Sequence, residues 1–107
     1  MQIKIKTTKI DLSDELKEYL QKKIDMLEKY LGSMKVTNCD VELEKMAGEQ
    51  HKGKIYRAEV NLSVPGVMLR VEKVAKDINK AIDKTKDHLA EMIKKHKNKK
   101  IDKKRGK

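Results

Sequence analysis

Residues 77–97, DINKAIDKTKDHLAEMIKKHK, decide how the chain is read. Ile78, Ala81, Ile82, Thr85, Leu89, Met92, Ile93 and His96 recur at the three-and-four spacing of one helical face. The opposite face carries Lys80, Asp83, Lys84, Lys86, Asp87, Glu91, Lys94 and Lys95. Asp77 can cap the helix by accepting from free amides of the first turn. The lysines crowding the last turn suit the negative end of the helix dipole. Such a helix buries one stripe, so the rest of the chain must supply an apolar surface for it.

Upstream, that surface is written in strands. Residues 1–6 alternate, with Met1, Ile3 and Ile5 on one face. Residues 36–46 alternate again, with Cys39, Val41 and Leu43 opposed by Asp40, Glu42 and Glu44. Residues 54–64 form the longest run: Tyr56, Ala58, Val60, Leu62 and Val64 face inward, and Arg57, Glu59, Asn61 and Ser63 outward. Pro65–Gly66 marks a tight turn, since proline presets one backbone angle and glycine supplies a positive φ. Residues 67–74 return, with Val67, Leu69 and Val71 inward. A polar loop over 47–53 joins the middle strands.

Between the first two strands, residues 13–31 predict another helix. Ser13 is its cap, Leu16, Leu20, Ile24, Leu27 and Leu31 its stripe, and Gly32 its left-handed stop. The order β-α-β-β-β-α predicts an α+β fold. A four-stranded mixed sheet carries two adjacent helices on one face, with the first two strands parallel across a crossover and the last three a meander. The 107 residues suit one domain. The expected division is a folded 1–97 and a basic, flexible tail over 98–107.

The formal net charge is +10. Residues 94–107 hold nine Lys or Arg against Asp102 alone, whereas the preceding residues are nearly balanced. A polycationic end predicts a polyanionic partner: RNA first, then DNA, then an anionic membrane surface. The bland reading is a solubilising tail. No apolar run is long enough to cross a membrane, and the start alternates like a strand rather than a signal peptide. The cytoplasm is therefore the expected location.

Catalytic chemistry is poorly supplied. The lone Cys39 falls on an inward strand position and reads as a core thiol. His51, His88 and His96 lack metal-ligand spacing, and the five glycines are scattered rather than gathered in a phosphate loop. Asp40, Glu42 and Glu44 share a strand face that could hold a cation or serve a small nuclease, but a solvated sheet face is the simpler reading. No enzyme activity, cofactor, metal or small-molecule substrate is expected.

The lysines remain. Lys22, Lys23 and Lys29 lie on the first helix; Lys76, Lys80, Lys84, Lys86, Lys94, Lys95 and Lys97 enter and follow the second. Adjacent helices would set these flanks across a shallow groove that tracks phosphates rather than base edges. The competing reading makes them the solvated halves of ordinary helices, paired locally with Asp83, Asp87 and Glu91. A general double-stranded-RNA module is a second candidate, although such domains normally begin with a helix.

With Leu27-Glu28-Lys29-Tyr30, Asp77 with Ala81-Ile82-Asp83, Leu89, and Lys95-His96-Lys97 in this order, nearly the whole chain resembles the ribosome hibernation-promoting factors, also called protein Y or ribosome-associated inhibitors. The resemblance implies binding to small-subunit rRNA in the mRNA and tRNA channel of the ribosome, inhibition of translation under stress, and contacts to rRNA phosphates from basic residues of the helices. Lys22, Lys23, Lys29, Lys94, Lys95 and Lys97 stand at matching or near-matching places. Asn79, His88 and Glu91 depart from the tyrosine, lysine and arginine of many relatives, with Lys84 and Lys86 nearby. A chain of this length resembles the short form, without the ribosome-pairing domain, and is expected to be a monomer when free.

Overall fold

The structure, a computed structural model, describes residues 1–47 and 52–105, with side chains described through Lys99. Seven elements follow one another: β1 (Lys4–Thr8), α1 (Asp14–Asp25), α2 (Glu28–Leu31), β2 (Asn38–Lys45), β3 (Tyr56–Val64), β4 (Val67–Ala75) and α3 (Ile78–Arg105). The strands form one sheet in the order β1-β2-β3-β4. β1 and β2 are parallel, with Ile5 beside Val41; β2–β3 and β3–β4 are antiparallel. This is the expected α+β architecture. Gly48 to His51, within the loop expected between β2 and β3, lie outside the described residues.

Alternation does what it promised. Cys39, Val41, Leu43, Ala58, Val60, Leu62, Val64, Leu69 and Val71 are buried on the helix side. Leu20, Ile24, Leu27, Leu31, Ala81, Ile82, Leu89 and Ile93 close over them. Each fully buried Leu or Ile contributes about 1.5–3 kcal/mol of transfer free energy, so this apolar layer holds the helices on the sheet. Thr85, wholly buried, donates its hydroxyl to the Ala81 carbonyl at 2.8 Å. Gly66 carries the positive φ of the β3–β4 turn, +88°.

Two helix readings change. The first helix breaks after Asp25 and restarts as α2. There the backbone tightens to i→i−3 bonds, Leu27 N–H to Ile24 O and Tyr30 N–H to Leu27 O, both 3.0 Å. The stripe Leu20-Ile24-Leu27-Leu31 keeps its spacing across the break, which hides it from periodicity. Ser13 caps α1 as expected, accepting from Leu16 N–H at 3.1 Å. The last helix does not stop at Lys97 but runs to Arg105. Lysine is a good helix former, and neither glycine nor proline intervenes before Gly106. Its 28 residues span about 42 Å at 1.5 Å per residue. The nine-residue strands reach only about 30 Å, so the lysine-rich end of α3 projects past the sheet.

The outer sheet face is not simply solvated. Arg57, with 13% of its side chain exposed, is ringed by Glu42, Glu44, Glu59 and Glu72. Its Nε donates to Glu44 at 2.8 Å and its Nη1 to Glu72 at 3.2 Å. Burial opposes the guanidinium charge, but hydrogen bonds to Glu44 and Glu42 override it and raise its pKa. Among the described residues no acidic or histidine cluster has the makings of a metal site; these carboxylates are engaged by arginine.

Candidate nucleic-acid interface

α1, α2 and α3 run side by side in the same direction. Three contacts show it, each joining residues about the same distance apart in sequence. Tyr19 of α1 donates its hydroxyl to Asp83 at 2.6 Å. The Lys94 ammonium sits 4.9 Å from the centre of the Tyr30 ring. Lys97 Nζ lies against Gly32, 3.1 Å from where a β-carbon would stand. The C-terminal end of α2 therefore meets α3 around Lys94 and Lys97, about two to three turns before α3 ends at Arg105.

At that meeting point the lysines converge. Lys29, Tyr30, Lys94, Lys97 and Asn98 line an open cleft of about 410 Å³. The Tyr30 ring takes Lys29 at 5.0 Å and Lys94 at 4.9 Å from its centre. Cation–π attraction of this kind contributes about 0.5–1 kcal/mol at exposed sites, enough to orient the ammonium groups, of which Lys94 also donates to Glu91. Gly32, at φ +59° and ψ −125°, adopts a conformation that side chains avoid and leaves room for Lys97. Sequence reasoning had Tyr30 only within the Leu27-Glu28-Lys29-Tyr30 motif and missed its central position. The adjacent Lys29-Tyr30 pair was the available signal.

The remaining candidates are spread over the helix layer. Lys23 lies 3.4 Å from Asp83 and 5.3 Å from the Tyr19 ring centre. Lys22 stands on another surface of α1, among Glu18, Gln21, Asp25 and Met26. Lys84 and Lys95 lie roughly 80–100° farther round α3 from Lys94, at about 100° per residue, and both are exposed. Lys76 and Lys80 are exposed at the start of α3, with Lys80 about 21 Å along the helix from Lys94. Lys86 pairs with Asp87 at 2.5 Å, and Lys94 with Glu91 at 3.3 Å. Of the partners named in the competing reading, Asp87 and Glu91 pair locally within α3, whereas Asp83 pairs across the helices with Lys23. Among the described residues, Lys22, Lys29, Lys76, Lys80, Lys84, Lys95 and Lys97 have no ion pair.

Two further groups bear on chemistry. Burial pushes the Cys39 thiol up to about 11, with Asp40 adding to the effect, so it is not a nucleophile near neutral pH. The hydrogen bond to Asp83, helped by desolvation, raises Tyr19 to about 12. Among the described residues no helix is long and apolar enough to cross a membrane.

Fold and surface together define a class: a one-sided α+β sheet whose helix layer carries a lysine cluster where α2 ends against α3. The chain belongs to the Sigma 54 modulation protein / S30EA ribosomal protein family, whose profile matches residues 3–101. It is 30% identical over 106 residues to the ribosome hibernation promoting factor of Azotobacter vinelandii, covering 99% of this chain and 92% of that one. It is 25% identical over 88 residues to the ribosome hibernation promotion factor of Deinococcus radiodurans. That match covers 82% of this chain but only 44% of the Deinococcus protein's length. Among solved structures, the Thermus thermophilus protein Y N-terminal domain superposes with a TM-score of 0.75 at 29% identity, covering 90% of this chain and 99% of the domain. A ribosomal subunit interface protein from Coxiella burnetii shares the fold, with a TM-score of 0.72 at 20% identity over 92% of this chain and 99% of that one.

Proposed function

We propose that this chain is a non-enzymatic ribosome hibernation factor of the cytoplasm. It binds small-subunit rRNA in the mRNA and tRNA channel and inhibits translation under stress by occupying that channel. The observation that carries the reading is the convergence of Lys29, Lys94 and Lys97 around Tyr30. Three ammonium groups gathered where α2 ends against α3 offer the positive charge that a phosphate backbone takes. The names of the Azotobacter and Deinococcus relatives support the ribosome as the source of that backbone.

The cluster anchors the contact. Lys22, Lys23, Lys76, Lys80, Lys84, Lys86 and Lys95 extend it across the helix layer, and the basic 98–107 segment, which includes the end of α3, continues along the polynucleotide. Lys23, Lys86 and Lys94 exchange their carboxylate partners for phosphates on binding. Those surface pairs are each worth only about 0–1 kcal/mol, so the exchange is cheap.

The test is co-sedimentation with purified small subunits, large subunits and intact ribosomes, with and without initiator tRNA. Binding to small subunits that initiator tRNA displaces, together with loss of translation in a reconstituted system, is the expected result. Equal binding to a plain RNA duplex would instead favour a general double-stranded-RNA module.

A further inference from the structure

We propose that β4 is a self-pairing edge through which two copies of this chain join their sheets. β4 pairs only with β3 among the described residues. It is nine residues long, and as the last strand of the sheet it has one edge with no strand partner among the described residues. Its outer face also displays Met68, 62% exposed, and Val74, 37% exposed. These are two of the four large hydrophobic side chains left exposed among the described residues.

The backbone determines which groups are available. Val64 and Val67 face each other across the two-residue Pro65–Gly66 turn, the position of a hydrogen-bonded pair in a tight hairpin. By alternation, Met68, Arg70, Glu72 and Val74 direct their N–H and C=O groups away from β3. These four residues would make the ladder with a second strand. Their side chains share the outer sheet face, because successive residues alternate sides.

The side chains then select the register. An antiparallel two-fold pairing centred on Val71 sets Arg70 opposite the second copy's Glu72, and Met68 opposite the second copy's Val74. Symmetry makes each pair occur twice. Centring on Arg70 or on Glu72 sets like charges face to face. Centring on Leu69 sets Arg70 opposite Met68, and centring on Lys73 sets it opposite Lys76. Among these registers only the Val71 centre matches both charges and both apolar side chains.

The monomer has a standing reason to accept that partner. Glu59 and Glu72 are directly opposite across β3 and β4, an unfavourable like-charge pair. Arg70 reaches Glu59 at 2.7 Å and Arg57 reaches Glu72 at 3.2 Å, but Arg70 and Glu72 remain 66% and 49% exposed. The second copy's arginine would give Glu72 a further cation. On the helix side, Lys73 falls opposite the second copy's Leu69. An inward-pointing lysine on an edge strand opposes pairing, but this one can lay its methylene stem over the leucine and leave its ammonium at the rim. The occupant is therefore a second copy, held weakly and reversibly, in place of the monomer expected from the sequence.

Charge complementation between two variants tests this. The full chain is followed by sedimentation velocity from about 10 µM to 1 mM, with circular dichroism confirming that each variant is folded. Wild type should show a concentration-dependent dimer. Arg70→Glu alone and Glu72→Arg alone should each weaken it by about tenfold or more, since two cross-strand pairs turn repulsive. An equimolar mixture of the two variants should recover the dimer as a heterodimer, because every facing pair is again opposite in charge. A wild type that stays monomeric at 1 mM would overturn the proposal. So would a dimer indifferent to both reversals, or folded single variants that fail to associate when mixed.

Discussion

Replacing Lys29, Lys94 and Lys97 together by glutamine removes the three charges gathered at Tyr30 while keeping an unbranched polar side chain of similar size. Folding should be little affected. Lys29 and Lys94 are exposed and Lys97 half-buried, and the one ion pair lost, Lys94–Glu91, is a surface contact worth about 0–1 kcal/mol. Binding is different. Each phosphate neutralised by a lysine contributes about 0.7–0.9 to the slope of log affinity against log salt. Three lost contacts make that slope shallower by about 2–3. Between 50 and 200 mM salt, wild type should therefore lose roughly 20–40-fold more affinity for small subunits than the variant. Fluorescence anisotropy of labelled protein across a salt series reads both slopes. A folded triple variant that binds more weakly with an unchanged slope would refute phosphate neutralisation by this cluster. One that binds like wild type at 50 mM would refute the cluster altogether.

Three other outcomes follow from the fold. Leu89→Ala opens a cavity where α3 meets the sheet at a wholly buried position and should cost about 2–5 kcal/mol in urea unfolding; a cost below about 1 kcal/mol would mean that the helix is not packed as described. Gly32→Ala must place a side chain at φ +59° and ψ −125° beside Lys97, and should cost about 1–3 kcal/mol while weakening ribosome binding; a neutral result would contradict the backbone at that stop. Tyr19 is raised to about 12 by its bond to Asp83, so the protonated form is favoured in the fold. Its contribution is complete below the ordinary tyrosine value near 10 and fades as pH rises towards 12. Tyr19→Phe should remove that part of the alkaline loss of stability, and identical pH profiles for the two proteins would show that the bond does not form in solution.

How much of this was legible beforehand depended on whether a local pattern carried the information. Strand faces were legible because burial on one side writes itself as alternation, as in Val41-Leu43 and Ala58-Val60-Leu62. The Pro65–Gly66 turn and the Ser13 cap were legible because each has a chemical signature of its own. The break at Met26–Leu27 was not, because its i→i−3 bonds leave the apolar spacing intact. Nor was the end of α3, where a run of lysines satisfies both a charged helix and a charged tail. The lysines were legible as a set but not as a constellation. Helical spacing separates flanks, yet which flank faces α2 depends on the offset between two helices far apart in sequence. That offset brings Lys94 and Lys97 to Tyr30 and leaves Lys84 and Lys95 turned away. The Arg57 network was invisible for a related reason: alternation places its carboxylates on one face, but only the strand register gathers Glu42, Glu44, Glu59 and Glu72 around one guanidinium.

The proposed function is tested most directly by footprinting the rRNA of the small subunit with hydroxyl radicals, with and without saturating protein. Protection confined to the backbone lining the mRNA and tRNA channel, and lost with the Lys29, Lys94 and Lys97 triple variant, is the predicted result. Protection elsewhere on the subunit, or a channel footprint that survives in the triple variant, would contradict it.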